Sequence, residues 1–202
     1  MTPAITPDDI LGFWFGPATD NLTVAQQQSK LWWSKNDELD VQIRQRFEPL
    51  LISMVNGKWD GFPDSAKGRL AKIILFDQFP RNMYRGTEAA FATDLLAQHL
   101  TMTALTAGDE GQLRPIERVF LYMPFEHAEE QALQDLSVKR FELLLANARE
   151  EERDLFKGYL DFAIRHRDII ERFGRFPHRN ALLGRQSTPA EIEFLKEPGS
   201  SF

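Results

Sequence analysis

Leu155-Phe156-Lys157-Gly158-Tyr159-Leu160-Asp161-Phe162-Ala163-Ile164-Arg165-His166-Arg167-Asp168-Ile169-Ile170-Glu171-Arg172-Phe173 decides the fold class of this chain. Leu155, Tyr159, Phe162, His166, Ile169 and Phe173 follow steps of four, three, four, three and four. That spacing sets them on one face of an α-helix, because 3.6 residues complete each turn. Gly174 follows, the residue that best closes a helix in the left-handed conformation. A helix from about Glu150 to Phe173 is expected, with this stripe turned inward. His166 lies in the stripe, so its imidazole must hydrogen-bond inside the fold. It is either a core histidine tied to a carboxylate or carbonyl, or a site histidine facing a pocket.

The same periodicity extends outward over nearly the whole chain. Thr6-Pro7-Asp8-Asp9 combines an N-cap, a proline at the first helical position and two first-turn acids. It opens a short helix ending near Trp14 or Phe15, and a second short segment carries Trp32 and Trp33. Asn36 starts a long helix through Ile43, Phe47, Leu50, Leu51 and Met54, with a kink or break expected at Glu48 before Pro49. Asp64 starts the next, through Leu70, Ile73, Ile74 and Asp77, with Phe79-Pro80 as its end. Thr87 caps a helix to Ala107, and Pro115 opens one that must bend or stop before Pro124. Glu126 begins a helix to about Asn147, and Thr188-Pro189-Ala190-Glu191 forms a capping box for a short last one. No segment alternates as a strand does. Eight or nine helices joined by short loops make a single all-α domain over residues 1–202.

Composition narrows the functional classes. The 202 residues are 43% apolar and 27% charged, the balance of a soluble globular domain. A net charge of -6 opposes general binding to nucleic acid, whose phosphates it would repel. No apolar run approaches the roughly eighteen residues of a membrane span, and the opening residues lack the basic and apolar regions of a signal peptide. With no cysteine, disulfides, thiol catalysis and thiolate metal sites are excluded. A cytoplasmic protein is expected.

Against the global sign, residues 165–185 hold six arginines and two histidines beside only Asp168 and Glu171. Guanidinium forks near a Gly-Arg-Phe-Pro turn suit a carboxylate or phosphate. The block also echoes an earlier segment. Phe79-Pro80-Arg81-Asn82 is followed by Arg85-Gly86, and Phe176-Pro177-His178-Arg179-Asn180 by Gly184-Arg185. The echo is either two similar helix stops or two Arg-Asn loops contributed to one shared site. Flanking helices show no simple repeat.

Three further positions carry chemistry. Below His127, the helix face continues through Gln131 and Gln134 to Val138, Phe141 and Leu145, so its first turns put polar groups on an inward face. Glu129 is expected at solvent or balancing a helix N-terminus. Asp77 sits on an apolar face with Arg81 four residues on; a buried Asp needs a partner, so it marks an ion pair or a site. His127, His166, Glu126, Glu130 and Asp77 offer metal-type atoms. No His-x-x-x-His or Glu-x-x-His pair places two on one helix face, and neither a metal nor a cofactor is expected. No nucleophile elbow and no Gly-rich phosphate loop is present. Trp14, Trp32, Trp33 and Trp59 are expected to pack an N-terminal cluster, with one ring of the adjacent pair turned to a groove or the surface.

Several motifs together carry a family resemblance: Phe13-Trp14-Phe15-Gly16, Leu75-Phe76-Asp77-Gln78-Phe79-Pro80-Arg81-Asn82, Tyr84-Arg85-Gly86, Met123-Pro124-Phe125-Glu126-His127, the run from Phe173 to Asn180, Leu183-Gly184-Arg185, Ser187-Thr188-Pro189 and Glu197-Pro198-Gly199-Ser200-Ser201-Phe202. In these the chain resembles the bacterial family called domain of unknown function 924, grouped with tetratricopeptide-like helical folds. The resemblance covers essentially the whole chain and implies a tetratricopeptide-like all-helical fold. It implies no activity and supplies no catalytic residues.

The residues themselves point first to a helical binding module with an arginine-rich polar pocket for a small anionic ligand or an acidic peptide end. Arg81, Arg85, Arg175, Arg179 and Arg185 would supply charge, and Asn82, Asn180 and His178 neutral hydrogen bonds. The alternative is a hydrolase or lyase for a phosphorylated or carboxylated metabolite. There His127 or His166 would be the acid/base and Glu126 the orienting carboxylate. A third reading makes the arginines structural, pairing with Asp77, Glu126 and other acids to bolt the C-terminal segment to the bundle.

Overall fold

The computed structural model describes residues 5–59 and 61–201. Residues 1–4, where the reading of the leader begins, and Phe202, where the last family-like motif ends, lie outside them. Among the described residues there are nine α-helices and no strand: α1 Pro7–Phe15, α2 Asn21–Trp33, α3 Asp37–Val55, α4 Ala66–Met83, α5 Asp94–Thr106, α6 Pro115–Glu126, α7 Gln131–Ala146, α8 Arg153–Phe173 and α9 Pro189–Phe194. No described helix is long and apolar enough to cross a membrane. Helices adjacent in sequence pack side by side, α3 on α4, α4 on α5, α6 on α7 and α7 on α8. α4 is the central one, with nearly every residue buried.

Caps fix the helix starts as the sequence suggests. Thr6 and Asp9 satisfy each other's backbone N–H at α1, Asn36 Oδ1 accepts from Leu39 N at α3, and Thr188 with Glu191 closes the box at α9. Trp32 is buried and its Nε1 donates to the Trp14 carbonyl at 3.0 Å, tying α2 to α1, while Trp33 stands half-exposed.

Pro80 does not end its helix as the sequence suggests, and neither Pro49 nor Pro124 breaks one. α3 runs unbroken through Pro49, α4 continues past Pro80 to Met83, and α6 past Pro124 to Glu126. A proline inside a helix frees the carbonyl four residues back, and the helix survives where that carbonyl is supplied otherwise. At Pro49 the freed carbonyl belongs to Gln45, an exposed residue that water reaches. At Pro80 it belongs to Phe76, and the Thr93 hydroxyl donates to it at 2.5 Å. Pro124 frees the Phe120 carbonyl, and one residue on the Thr101 hydroxyl donates to the Leu121 carbonyl at 3.0 Å. Asp64 does not start α4; Ser65 caps it. The helix expected from Thr87 to Ala107 is split, with a 3₁₀ turn at Glu88–Phe91 before α5, because Thr93 is turned inward to Phe76.

Glu126 ends α6 rather than starting α7. Gln134, from the first turn of α7, explains how that end is held inside the protein. Its Nε2 donates to the carbonyls of Glu126 at 2.6 Å and Ala128 at 2.7 Å, two groups a helix end leaves unsatisfied. The buried line of α8 runs through Phe156, Ala163, His166, Ile169 and Ile170, and Phe162 is 49% exposed. The inward stripe is therefore rotated by about one residue from the expected one.

One large core runs from α1 to α8. A separate small cluster of Ile169, Ile170, Phe176 and Phe194 seats the C-terminal segment against the end of α8.

Candidate functional site

Five stretches converge where α4 and α6 end past their prolines: the last turns of those two helices, the start of α5, the middle of α8 and the segment from Phe176 to Arg185. Asp77, fully buried on α4, is the hub. Its Oδ1 lies 2.8 Å from Nδ1 of His127 and 3.3 Å from Nη1 of Arg81, and its Oδ2 accepts from Gln78 Nε2 at 2.5 Å. Burial alone would raise the Asp77 carboxyl. The Arg81 and His127 contacts outweigh it and hold Asp77 below the usual carboxylate range. Asp77 is thus the anion of an ion pair with Arg81 and the group that orients His127.

Arg81 also grips Asp94 with both nitrogens, Nη1 to Oδ1 at 2.8 Å and Nη2 to Oδ2 at 3.0 Å. Arg179 reaches the same carboxylate from the C-terminal segment, Nη1 to Oδ2 at 3.7 Å. The two echoed arginines therefore do meet, at Asp94. Their asparagines do not. Asn82 donates to Asp40, which also takes a bidentate contact from Arg85. Asn180 donates to Ser187 Oγ and accepts from Arg185 Nε. The first Arg-Asn pair moreover lies in the final turn of α4, not in a loop.

Arg179 differs from its neighbours. Its guanidinium lies over the rings of Phe91 and Phe176, 4.7 and 4.4 Å from the ring centroids. Nη1 donates to the His127 carbonyl at 3.1 Å, while Nε is buried with no hydrogen-bond partner among the described residues. Burial, and repulsion from Arg81, pull its pKa down to about 10. A guanidinium is depressed only when its surroundings under-compensate the charge.

The other arginines have committed partners. Arg185 holds Glu129 through both terminal nitrogens, at 2.5 and 2.9 Å, and Glu129 Oε1 also accepts from Phe176 N at 2.8 Å. Glu129 thus faces inward to the C-terminal segment rather than to solvent, the first of the two positions expected of it. Its burial is offset by those contacts, and its pKa lies below the ordinary value. Arg175 grips Glu191, the capping acid of α9, at 2.6 and 2.8 Å. The C-terminal block is therefore bolted down by Arg175 and Arg185, whereas Arg179 stands apart.

Glu126 is not the partner of the His127 ring. It sits 3.3 Å from His166 Nδ1, which bonds the Phe162 carbonyl at 2.9 Å. Burial, then the charge of Asp77, raises Glu126 to about 8. Burial also takes His166 well below its ordinary value. Burial thus favours the neutral form of each group in this contact. His127 is likewise lowered by burial and by Arg81, against the pull of Asp77. His178 falls to about 4 through burial and Arg179. Three neutral histidines thus surround one under-compensated arginine.

No group of three His, Cys, Asp or Glu side chains suited to a metal ion is found among the described residues. Asp94 and Phe91 escaped the sequence reading, and Glu129 was expected at solvent or a helix N-terminus rather than in the cluster. Their partners lie far along the chain, and only the inward-facing Thr93 hints that the start of α5 turns toward α4.

A family model described as a bacterial protein of unknown function, DUF924, matches residues 10–199. The chain belongs to this family. It is also similar to a solved structure from Agrobacterium tumefaciens, a protein of unknown function, ATU0120. The two are 35% identical over 94% of this chain and 96% of that one, with a TM-score of 0.77. No curated protein matches the chain. The matched span of this DUF924 chain includes every residue of the cluster.

Proposed function

We propose that this DUF924 protein binds a small anionic ligand, or the acidic end of a peptide, at the cluster around Arg179. One observation carries the reading: Arg179 is buried as deeply as a core residue, yet its nearest carboxylate, Asp94, is already taken by both nitrogens of Arg81. A buried guanidinium whose Nε–H has no acceptor is costly, and a ligand carboxylate or phosphate oxygen would supply that acceptor. Arg81 and Asp94 position Arg179 from below, and His127 and His178 flank it with neutral imidazoles.

The test is a thermal-shift series of the purified protein with phosphates, carboxylates and nucleotides, repeated with Arg179→Lys. Lysine keeps the charge and loses the fork. Stabilisation by one anion class, lost in the variant, is the expected result, since a ligand that binds only the folded state raises its melting point. No shift with any anion contradicts the proposal.

A second reading draws on the Asp77–His127 contact. A carboxylate on Nδ1 leaves Nε2 of a neutral imidazole as a proton acceptor, as a hydrolase or lyase for phosphorylated or carboxylated metabolites requires. Turnover abolished by His127→Gln without unfolding would favour it. The succession of neighbouring helix pairs supports a tetratricopeptide-like arrangement, and the cysteine-free composition a cytoplasmic location.

A further inference from the structure

The contacts of Arg179 define which anion fits. Both its polar contacts, to the His127 carbonyl and to Asp94, are made by Nη1. The Nε–Nη2 edge has no hydrogen bond among the described residues. The Phe91 and Phe176 rings crowd the guanidinium, so the free N–H edge is what it offers a ligand. Two parallel N–H donors in one plane match the two oxygens of a carboxylate. Little surface is left for a ligand to reach, with side-chain exposures of 7% for Arg179 and 11% for His127. A ligand that reaches so buried a pair must be small.

The charge of the surroundings fixes the rest. Around His127 stand Asp77 and Arg81 of α4, Asp94 of α5, Glu126 of α6, Glu129 before α7, His166 of α8, and His178, Arg179 and Arg185 of the C-terminal segment. Arg81 and Arg179 balance Asp77 and Asp94, and Arg185 balances Glu129. Burial favours the neutral forms of Glu126 and the three histidines. A monoanion entering this neutral set leaves one excess negative charge in a poorly solvated place, and a phosphate dianion leaves two. His127 is the group built to cancel one. Its Nδ1 is held by the Asp77 carboxylate, which stabilises an imidazolium, and no hydrogen bond reaches its Nε2 among the described residues. Its own carbonyl is tied to Arg179, so the two donors are neighbours.

We propose that the site takes a small monocarboxylate together with one proton, the carboxylate on the Nε–Nη2 edge of Arg179 and the proton on Nε2 of His127, with Asp77 as the positioning residue. This rests on the anion-binding reading above and specifies its ligand class. The proton comes from solvent, and no covalent bond changes. The protonated Nε2 becomes a further donor beside the guanidinium.

Histidine-selective ¹⁵N NMR of the full chain at pH 7, titrated with sodium acetate and separately with inorganic phosphate, tests it. Acetate is expected to convert His127 from a neutral ring protonated on Nδ1 to an imidazolium, and to bind about tenfold or more tighter than phosphate. Calorimetry with acetate in Tris and imidazole buffers should report uptake of about one proton, lost in His127→Gln. Saturable acetate binding with His127 still neutral, or tighter binding of phosphate, overturns this inference and leaves the anion site standing. Binding of neither anion, or binding unchanged in Arg179→Lys, overturns both.

Discussion

Arg69 and Arg179 are buried to the same depth, with side-chain exposures of 8% and 7%, and their surroundings are opposite. Arg69, on α4, meets Asp109 through Nε at 2.6 Å and Nη2 at 2.7 Å, and a third nitrogen contacts Asp64. Those bonds raise its pKa above the ordinary arginine value. Arg179 has one carbonyl, a distant share of Asp94, and a pKa depressed to about 10. A buried arginine that fills its fork internally fastens two parts of the fold. One that leaves a two-donor edge unmatched in the same burial is poised for something outside the chain.

Breaking the satisfied pair should cost most. Arg69→Met leaves Asp109 buried and unpaired and is expected to lose about 3–5 kcal/mol of unfolding free energy in urea titrations. Asp77→Asn keeps the shape of the hub but removes its charge from Arg81 and His127, so a loss of about 2–3 kcal/mol is expected by the same method. In that variant His127 should also become harder to protonate, visible as a lower imidazole pKa by NMR.

Glu126 sharpens the comparison through pH. Its folded pKa, raised to about 8, lies above the unfolded value near 4.5. The folded state therefore holds the proton more tightly, and the associated stability is complete below about pH 4.5. It declines as pH rises through 8. Glu126→Gln cannot ionise. Its stability relative to wild type should grow between pH 5 and pH 9, by on the order of 2 kcal/mol. Parallel pH profiles for the two proteins would contradict the raised pKa.

Much of the bundle was legible because helix signals are local. Thr6, Asn36 and Thr188 announce their caps through residues three positions away, and the α8 stripe is a periodicity. The prolines misled because their tolerance depends on distant donors: nothing near Pro80 says that Thr93 will supply the Phe76 carbonyl. The candidate site was legible as a set of residue types. The oddity of Asp77, the inward histidines and the basic block were each visible in isolation. Which arginine pairs with which acid was not, since Glu129 with Arg185 and Asp94 with Arg81 and Arg179 are tertiary contacts. That pairing is what separates Arg179 from Arg175 and Arg185, its neighbours in a uniformly basic sequence.

The smallest stability effect is also the most telling. Urea denaturation of Arg69→Met and Arg179→Met, side by side with wild type in buffer free of carboxylate and phosphate, tests the difference between the two arginines directly. Arg179→Met is expected to stay within about 1 kcal/mol of wild type, or to exceed it, because methionine still packs between Phe91 and Phe176 and removes an under-compensated charge. Arg69→Met should fall by several times that amount. Equal losses in the two variants would make Arg179 a structural fastener like Arg69 and contradict the account.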